Sequence, residues 1–283
     1  MMLGKCVGIG SSCEVYEWDE SADKVVKLYH SHARLEHVQR EFRNSSVACS
    51  NGLSVPRPYE IVNWGGRHGI VYERISGETL VNRIYESLYA FEPFDMEAED
   101  HELRILAKVL HEIHQASTEG IQTSQRDNLK WIIGHPEPFS PEEVGALHAY
   151  MDLLPPKRQL CHGDTNLSNL ILNGDRYVMI DWMHASIGNP EADVAEVCVS
   201  IEYAVLPPET PADVDEFFQT IRQAAYRIFI DEYCKLSGVT EAEIRAWYPP
   251  MAARSMASGA LQAEQVEMMA AMIREKIVDQ EAV

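Results

Sequence analysis

Cys161-His162-Gly163-Asp164-Thr165-Asn166-Leu167-Ser168-Asn169 decides how this chain is read, and Met179-Ile180-Asp181-Trp182 completes it, with Asp181 twelve residues past Asn169. Together the two segments supply an Asp, an Asn five positions later, and a second Asp after an apolar pair. Phosphoryl transfer asks for such groups. It needs a carboxylate that orients the attacking hydroxyl and accepts its proton, and hard oxygen ligands that fix Mg²⁺ against phosphates. Asp164 suits the first task, and Asn169 with Asp181 suits the second. A plainer reading is a polar turn, because Asp and Asn also bond to their own backbone in turns. The neighbouring residues weigh against it. Leu170-Ile171-Leu172, the turn Asn173-Gly174-Asp175 and then Tyr177-Val178-Met179-Ile180 form a hairpin signature that brings Asn169 and Asp181 to neighbouring strand ends.

Upstream, residues 1–75 read as strands with one inserted helix. Residues 24–29 alternate like a strand, and glycines 65 and 66 suit a hairpin between 59–62 and 70–72. Lys27 shares a sheet face with Val25 and Tyr29, opposite Val26 and Leu28. An ammonium there is desolvated and needs a partner, unless that face meets solvent. The helix spans residues 32–50, with Leu35, Val38 and Phe42 on one face. Glu41 borders that face and Glu36 points away from it, so Glu41 is the candidate partner of Lys27.

Downstream of residue 78 the pattern turns helical. Within 101–116, Leu103, Leu106, Leu110 and Ile113 form a buried stripe; His111 and His114 lie beside it as packed or surface histidines with no identifiable carboxylate partner. Residues 136–141 form a break, Pro155 and Pro156 end the preceding helix, and 212–236, 240–255 and 257–279 are expected helices. Met251, Met256, Met268, Met269 and Met272 form a face that reads as core.

Composition narrows the function classes. No apolar run is long enough to span a membrane, and the first residues lack a signal-peptide pattern. Six scattered cysteines without a Cys-x-x-Cys pair argue against a zinc site or a disulfide framework, and point to reduced thiols in a cytoplasmic protein. A formal charge of −20 makes nucleic acid an implausible partner. Between Arg176 and Arg222 there is no Lys or Arg, while acids are frequent. That asymmetry reads either as a field that concentrates cationic molecules or as a solubilising surface.

On the motif His162-Gly163-Asp164, Asn169 and Asp181-Trp182, continued by Gly188-Asn189-Pro190 and Asp193-Val194-Ala195, the chain resembles the aminoglycoside phosphotransferase and choline kinase family. The resemblance runs from Val7 to about Ile230. It implies an α+β, bilobal protein-kinase-like fold. An N-terminal antiparallel β-sheet lobe with one helix would span 1–75, a larger, mostly helical lobe 76–283, and the hinge would lie at about 73–77. It also implies ATP and Mg²⁺ as cofactors, Asp164 as catalytic base within the His162 motif, Asn169 and Asp181 as metal ligands, and Asp193 as support for the catalytic loop.

The segment Gly8-Ile9-Gly10-Ser11-Ser12-Cys13-Glu14-Val15 resembles a kinase Gly-rich loop with Cys13 in the third glycine's place. Its small residues would let backbone N–H groups approach phosphates, a stiffer or more open cover leaving the roles of Ser11 and Ser12 open. Lys27, twelve residues after Val15, matches the family's ATP lysine, paired with Glu41. At the hinge the Glu73 carbonyl and the Ile75 N–H would face adenine.

The expected activity is transfer of the γ-phosphoryl group to a hydroxyl of a small, cationic acceptor, aminoglycoside-like or an amino alcohol, with Glu196, Glu202, Glu264 and Glu267 as candidate acceptor-binding acids. The alternatives are a kinase of another metabolite, such as homoserine, a sugar or thiamine, and a degenerate, nucleotide-binding regulator. A protein kinase is disfavoured, because no Ala-Pro-Glu segment follows Asp181.

Overall fold

The computed structural model describes residues 3–281 apart from 11, 19, 20, 94, 135–137 and 175, and the side chains of 278–281. Ser11 therefore lies outside the described residues, as do parts of the break at 136–141 and of the turn at Asp175. The chain opens with strands β1 (Leu3–Ile9), β2 (Cys13–Trp18) and β3 (Lys24–Tyr29), then helix α1 (Leu35–Ser50), then β4 (Pro58–Trp64) and β5 (Arg67–Glu73). These strands form one antiparallel sheet in the order β1-β2-β3-β5-β4. Its hairpin between β4 and β5 turns at Gly65 and Gly66, both at positive φ.

Alternation sorts the side chains of β3 onto two faces. Val26 packs with Trp18 and Val71 on one, and Val25 with Tyr29, Val38 and Ile70 on the other, beneath α1. The buried face of α1 is Val38, Glu41, Asn44, Ser45 and Ala48. Leu35 is 40% exposed, so the face sits further round the helix than the apolar residues alone indicate. The reason is that Glu41, Asn44 and Ser45 are drawn inward by hydrogen-bond partners, which hydrophobic periodicity does not register.

An extended segment leads from β5 into β6 (Glu78–Thr79) and α2 (Leu80–Tyr89). Gly77 is needed there, since a Cβ would collide with the carbonyl of Leu172. Helices α3 (Glu102–Gln115), α4 (Gln125–Ile133) and α5 (Pro141–Leu153) follow, the last opened by a Ser140–Glu143 capping box. Then come β7 (Gln159–Cys161), the hairpin β8 (Leu170–Asn173) and β9 (Arg176–Met179), and β10 (Ser186–Gly188), which pairs with β7.

The remaining elements are α6 (Pro190–Glu202), α7 (Ala212–Ser237), α8 (Glu241–Arg245), α9 (Tyr248–Ala257) and α10 (Ala263–Glu281). Helix α6 is buried almost all round, which makes it the axis of the helical part. The expected helix over 240–255 is instead two helices. Pro249 and Pro250 lack the N–H groups that would continue α8 and are tolerated only in the first turn of a new helix. The last helix begins at Ala263 rather than 257, past Gly259, whose φ of +68° ends α9. Met251, Met256 and Met269 are core residues as expected, whereas Met268 is 37% exposed.

An antiparallel sheet lobe carrying one helix, followed by a helical lobe, is an α+β, bilobal kinase-like architecture. Among the described residues no helix is long and apolar enough to cross a membrane.

Candidate active site

The run 161–169 leaves β7 as an irregular loop because Asp193 and Glu196, one turn apart on α6, capture its backbone. Asp193 accepts from the N–H of His162 at 2.6 Å and of Gly163 at 3.1 Å. Glu196 accepts from the N–H of Thr165 at 2.8 Å and from its hydroxyl at 3.0 Å. Gly163 has φ +76°, and a Cβ there would collide with the carbonyl of His184, so the loop accepts no other residue without strain. His162 donates from Nε2 to the Ile180 carbonyl at 3.0 Å and accepts the Asp164 N–H at Nδ1, 3.3 Å, which fixes its proton on Nε2. In this way His162 ties the loop to the strand that delivers Asp181.

Asn169 closes the loop. Its Nδ2 donates to the backbone carbonyl of Asp164 at 2.9 Å and to Asp164 Oδ2 at 3.1 Å. Both amide hydrogens are thereby committed, and among the described residues no donor meets Oδ1, a hard oxygen. The Asn169 carbonyl accepts from the Ile180 N–H at 2.8 Å, which sets Asp181 beside it. Asp181 adopts a left-handed conformation, φ +65° and ψ +65°, rare for a residue with a side chain, and so stores strain at the point where its carboxylate is aimed. One of its oxygens lies 2.9 Å from Lys27 Nζ. Burial would raise the Asp181 carboxyl, yet Lys27 outweighs it and holds it below the ordinary range. An open amide oxygen beside a strongly ionised carboxylate is a donor set that suits Mg²⁺.

Lys27 also pairs with Glu41 Oε1 at 2.8 Å. Burial alone would lower the ammonium, but Glu41 and Asp181 together hold it above its usual value. Glu41 is 1% exposed and accepts further bonds from the hydroxyls of Tyr29 and, at 3.1 Å, Tyr72, the latter supported by Ser45 at 3.1 Å. Burial pushes the Glu41 carboxyl up while Lys27 pulls it down. Lys27 thus has the partner that its place on the sheet demanded.

Among the remaining expected residues, Gly8 faces Val15 across β1 and β2, and the Gly10 N–H donates to Cys13 at 2.9 Å. Neither glycine has positive φ. The Ser12 carbonyl accepts from His30 at 3.0 Å, and Cys13 is buried with Tyr29 and Ile70, its thiol pushed up mainly by burial. The Glu73 N–H donates to Arg57 at 2.9 Å, while the Ile75 N–H meets no protein acceptor among the described residues.

Four side chains have roles that pattern reading did not find. His114 does have a carboxylate partner: its Nε2 donates to Asp193 at 3.3 Å and its Nδ1 accepts from Tyr233 at 2.7 Å. The partner lies seventy-nine residues away, where no sequence pattern points. His114, Cys161 and Asp193 place their donor atoms within 4.8 Å of one another, but hydrogen bonds already occupy His114 and Asp193, and burial keeps the Cys161 thiol protonated. Arg254, from α9, pairs with Glu196 and lies 3.4 Å from Asp164 Oδ1. His184 lines the same space, its ring pushed down to about 4 by burial and by Arg254. Arg222 also lines it.

Asp164 opens onto a cleft of about 780 Å³, walled by apolar side chains of α2, α7 and the segment 204–206, with Arg254 and Ser255 from α9. Of the four acids expected to bind an acceptor, Glu196 alone lines this cleft, and it is occupied by Thr165 and Arg254. Glu202 pairs with Arg245 at 2.8 Å, and Glu264 and Glu267 are exposed on α10 away from the cleft.

A sheet lobe that presents a buried Lys–Glu pair to an Asp–Asn–Asp cluster defines a kinase-like phosphotransferase. The chain belongs to the phosphotransferase enzyme family, whose model matches residues 8–232. No curated protein sequence matches it. Among solved structures it is similar to a thermostable mutant of aminoglycoside phosphotransferase APH(4)-Ia in its apo form, with TM-score 0.65 and 16% identity, covering 100% of this chain and 95% of that one. Aminoglycoside phosphotransferase APH(3'')-Id from Streptomyces rimosus gives TM-score 0.60 at 15% identity, over 88% and 91%. Macrolide 2'-phosphotransferase MphH from Brachybacterium faecium gives 0.53 at 18%, over 95% and 91%. At such identities the likeness is one of fold.

Proposed function

We propose that the protein moves the γ-phosphoryl group of ATP to a hydroxyl of a small molecule held in the cleft beside Asp164. In this reading the acceptor oxygen bonds to the γ-phosphorus as the bond to the bridging oxygen of ADP breaks, and the hydroxyl proton passes to Asp164. Asn169, through its Nδ2, holds the Asp164 carboxylate in place. Asn169 Oδ1 and Asp181 would hold Mg²⁺, which when bound offsets the charge on the phosphates. Lys27, fixed by Glu41, meets the α- and β-phosphates, and Gly8, Gly10, Ser12 and Val15 cover them. The Glu73 carbonyl and Ile75 N–H meet the adenine where the lobes join, at about 73–77. Asp193 and His162 are positioning residues: they touch the loop backbone and not the reactants.

The observation that carries this reading is the direct bond between Asn169 and Asp164, 3.1 Å long, at the mouth of a cleft large enough for a small molecule. A protein of related fold, a thermostable mutant of APH(4)-Ia, has been solved as a ternary complex with AMP-PNP and hygromycin B, which supports a nucleotide and an acceptor bound together in this architecture. The test is Mg·ATP-dependent ADP release across a panel of hydroxyl compounds. Asp164→Ala should lower turnover on the order of 10²-fold or more while Mg·ATP still binds. Near-normal turnover in that variant would remove Asp164 as the base.

A further inference from the structure

The cleft beside Asp164 carries a chemical signature of its own, and its meaning for the acceptor rests on the kinase reading of Asp164. Among the described residues its charged lining consists of Asp164, Glu196, Arg222 and Arg254, with His184 beside them. Arg254 serves both acids: it pairs with Glu196 and reaches Asp164 Oδ1 at 3.4 Å, with its side chain only 12% exposed. Glu196 is further occupied by the Thr165 N–H and hydroxyl. An entering cation would have to displace a buried guanidinium to reach Glu196, and at Asp164, which is 25% exposed, it would meet Arg254 beside Oδ1. The negative charge that remains belongs to Asp164, which needs it to accept a proton.

Arg222 differs. It lines the cleft from α7, and among the described residues no carboxylate pairs with it; its Nη1 donates only to the Ala204 carbonyl, at 3.4 Å. A guanidinium has five donors, so most of its bonding capacity is unused by the protein. Half-buried Arg222 shares the cleft with an apolar cluster that includes Leu88, Leu206, Phe218 and Ile221. In such a setting a charge pair is stronger than it is in water. The net charge of −20 acts against an anion at long range. Screening over about 8 Å at physiological salt leaves the local lining to decide.

We infer that the acceptor is a hydroxylated molecule with an apolar body and one anionic group that pairs with Arg222, rather than a polycation. The hydroxyl sits at Asp164, the apolar body fills the space between α2 and α7, and the anion lies against the guanidinium. The expectation of a cationic acceptor came from the family resemblance, and of the four acids named for it Glu196 alone lines this cleft.

The experiment measures ADP release with three matched probes: ω-hydroxydodecanoate, its methyl ester, and the corresponding ω-amino alcohol. All three share an apolar chain and a terminal hydroxyl, and they differ in the charge at the far end. The expected result is a kcat/KM for the acid about tenfold or more above that of either other probe. Arg222→Met should abolish that advantage and Arg222→Lys should restore part of it. Equal turnover of the ester, faster turnover of the amino alcohol, or an acid preference that survives Arg222→Met overturns the inference. Should Arg222→Met fail to fold, the ranking of the three probes on the wild-type protein decides alone. Absence of turnover with all three, while Mg·ATP still binds, overturns the acceptor inference and leaves the kinase reading intact; absence of Mg·ATP binding overturns that reading itself.

Discussion

Replacing Glu41 by Ala is the perturbation whose cost the structure defines most fully. Glu41 is 1% exposed and accepts from Lys27 at 2.8 Å, from Tyr72 at 3.1 Å and from Tyr29. Its loss leaves the ammonium with Asp181 at 2.9 Å as its remaining partner, which holds the cost to about 3 kcal/mol, the low end of the roughly 3–5 kcal/mol for an uncompensated buried charge. Tyr72 keeps the Ser45 hydroxyl at 3.1 Å, so Tyr29 is the hydroxyl left short of a partner, adding about 1 kcal/mol. Against a total stability of roughly 5–15 kcal/mol this is a large fraction. It corresponds to a fall in Tm on the order of 10 °C for a chain of this size. Thermal and urea unfolding read it directly. The double variant Lys27→Met, Glu41→Ala should lose less than the sum of the two single losses, because Lys27→Met costs Asp181 its 2.9 Å partner in either background while the Lys27–Glu41 contact is lost only once. A single-variant cost below about 1 kcal/mol, or double-variant losses that simply add, would refute the view of Glu41 as the buried anchor of Lys27.

Two further outcomes come from local geometry. Gly163→Ala must hold φ near +76° with its Cβ against the His184 carbonyl; left-handed strain alone costs roughly 1–2 kcal/mol, so denaturation should show at least that loss, with ADP release falling more than stability does because Asp164 is adjacent. An alanine variant with unchanged turnover would show the loop to be pliable. Glu241, which burial would raise, is held down to about 2 by Tyr226, Arg245 and Arg227. A carboxyl depressed in the folded state stabilises above its ordinary value of 4.5 and loses that contribution as pH falls toward 2. The full shift would be worth roughly 3 kcal/mol. The side chain is 32% exposed, so solvent screening reduces it to about 1 kcal/mol. Glu241→Gln should flatten the acid limb of the stability–pH curve by that amount, and an unaltered limb would contradict the assignment.

Much of this site was legible in the sequence because its groups are close in the chain or set by regular periods. Asp164, Asn169 and Asp181 fall on one loop and one hairpin, and the two-residue period of β3 turned Lys27 toward α1. Glu41 was recoverable from helix geometry because only one acid bordered the inward face. What stayed hidden depended on distance along the chain. Asp193 meets His114 across seventy-nine residues, and Arg254 meets Asp164 across ninety, contacts that no local pattern encodes. The acidic stretch between Arg176 and Arg222 left open a field that concentrates cations or a solubilising surface, because sequence counts charges without showing which are paired. Glu196, the one candidate acid in the cleft, was already occupied by Arg254. Likewise Leu35 looked like core on periodicity, whereas hydrogen bonding rotated α1 to bury Glu41 and Asn44 instead.

Titration calorimetry of ATP with and without Mg²⁺, on the wild-type protein and on Asp181→Asn, bears most directly on the central claim. Even outer-shell partners of a metal ligand are worth roughly ten- to hundredfold in metal affinity. Mg²⁺ should therefore tighten ATP binding to the wild type, and Asp181→Asn should lose that gain while retaining weak, Mg²⁺-independent binding. ATP affinity that is indifferent to Mg²⁺ in the wild type, or a Mg²⁺ effect of full size in Asp181→Asn, would contradict a phosphoryl-transfer centre built on Asp164, Asn169 and Asp181.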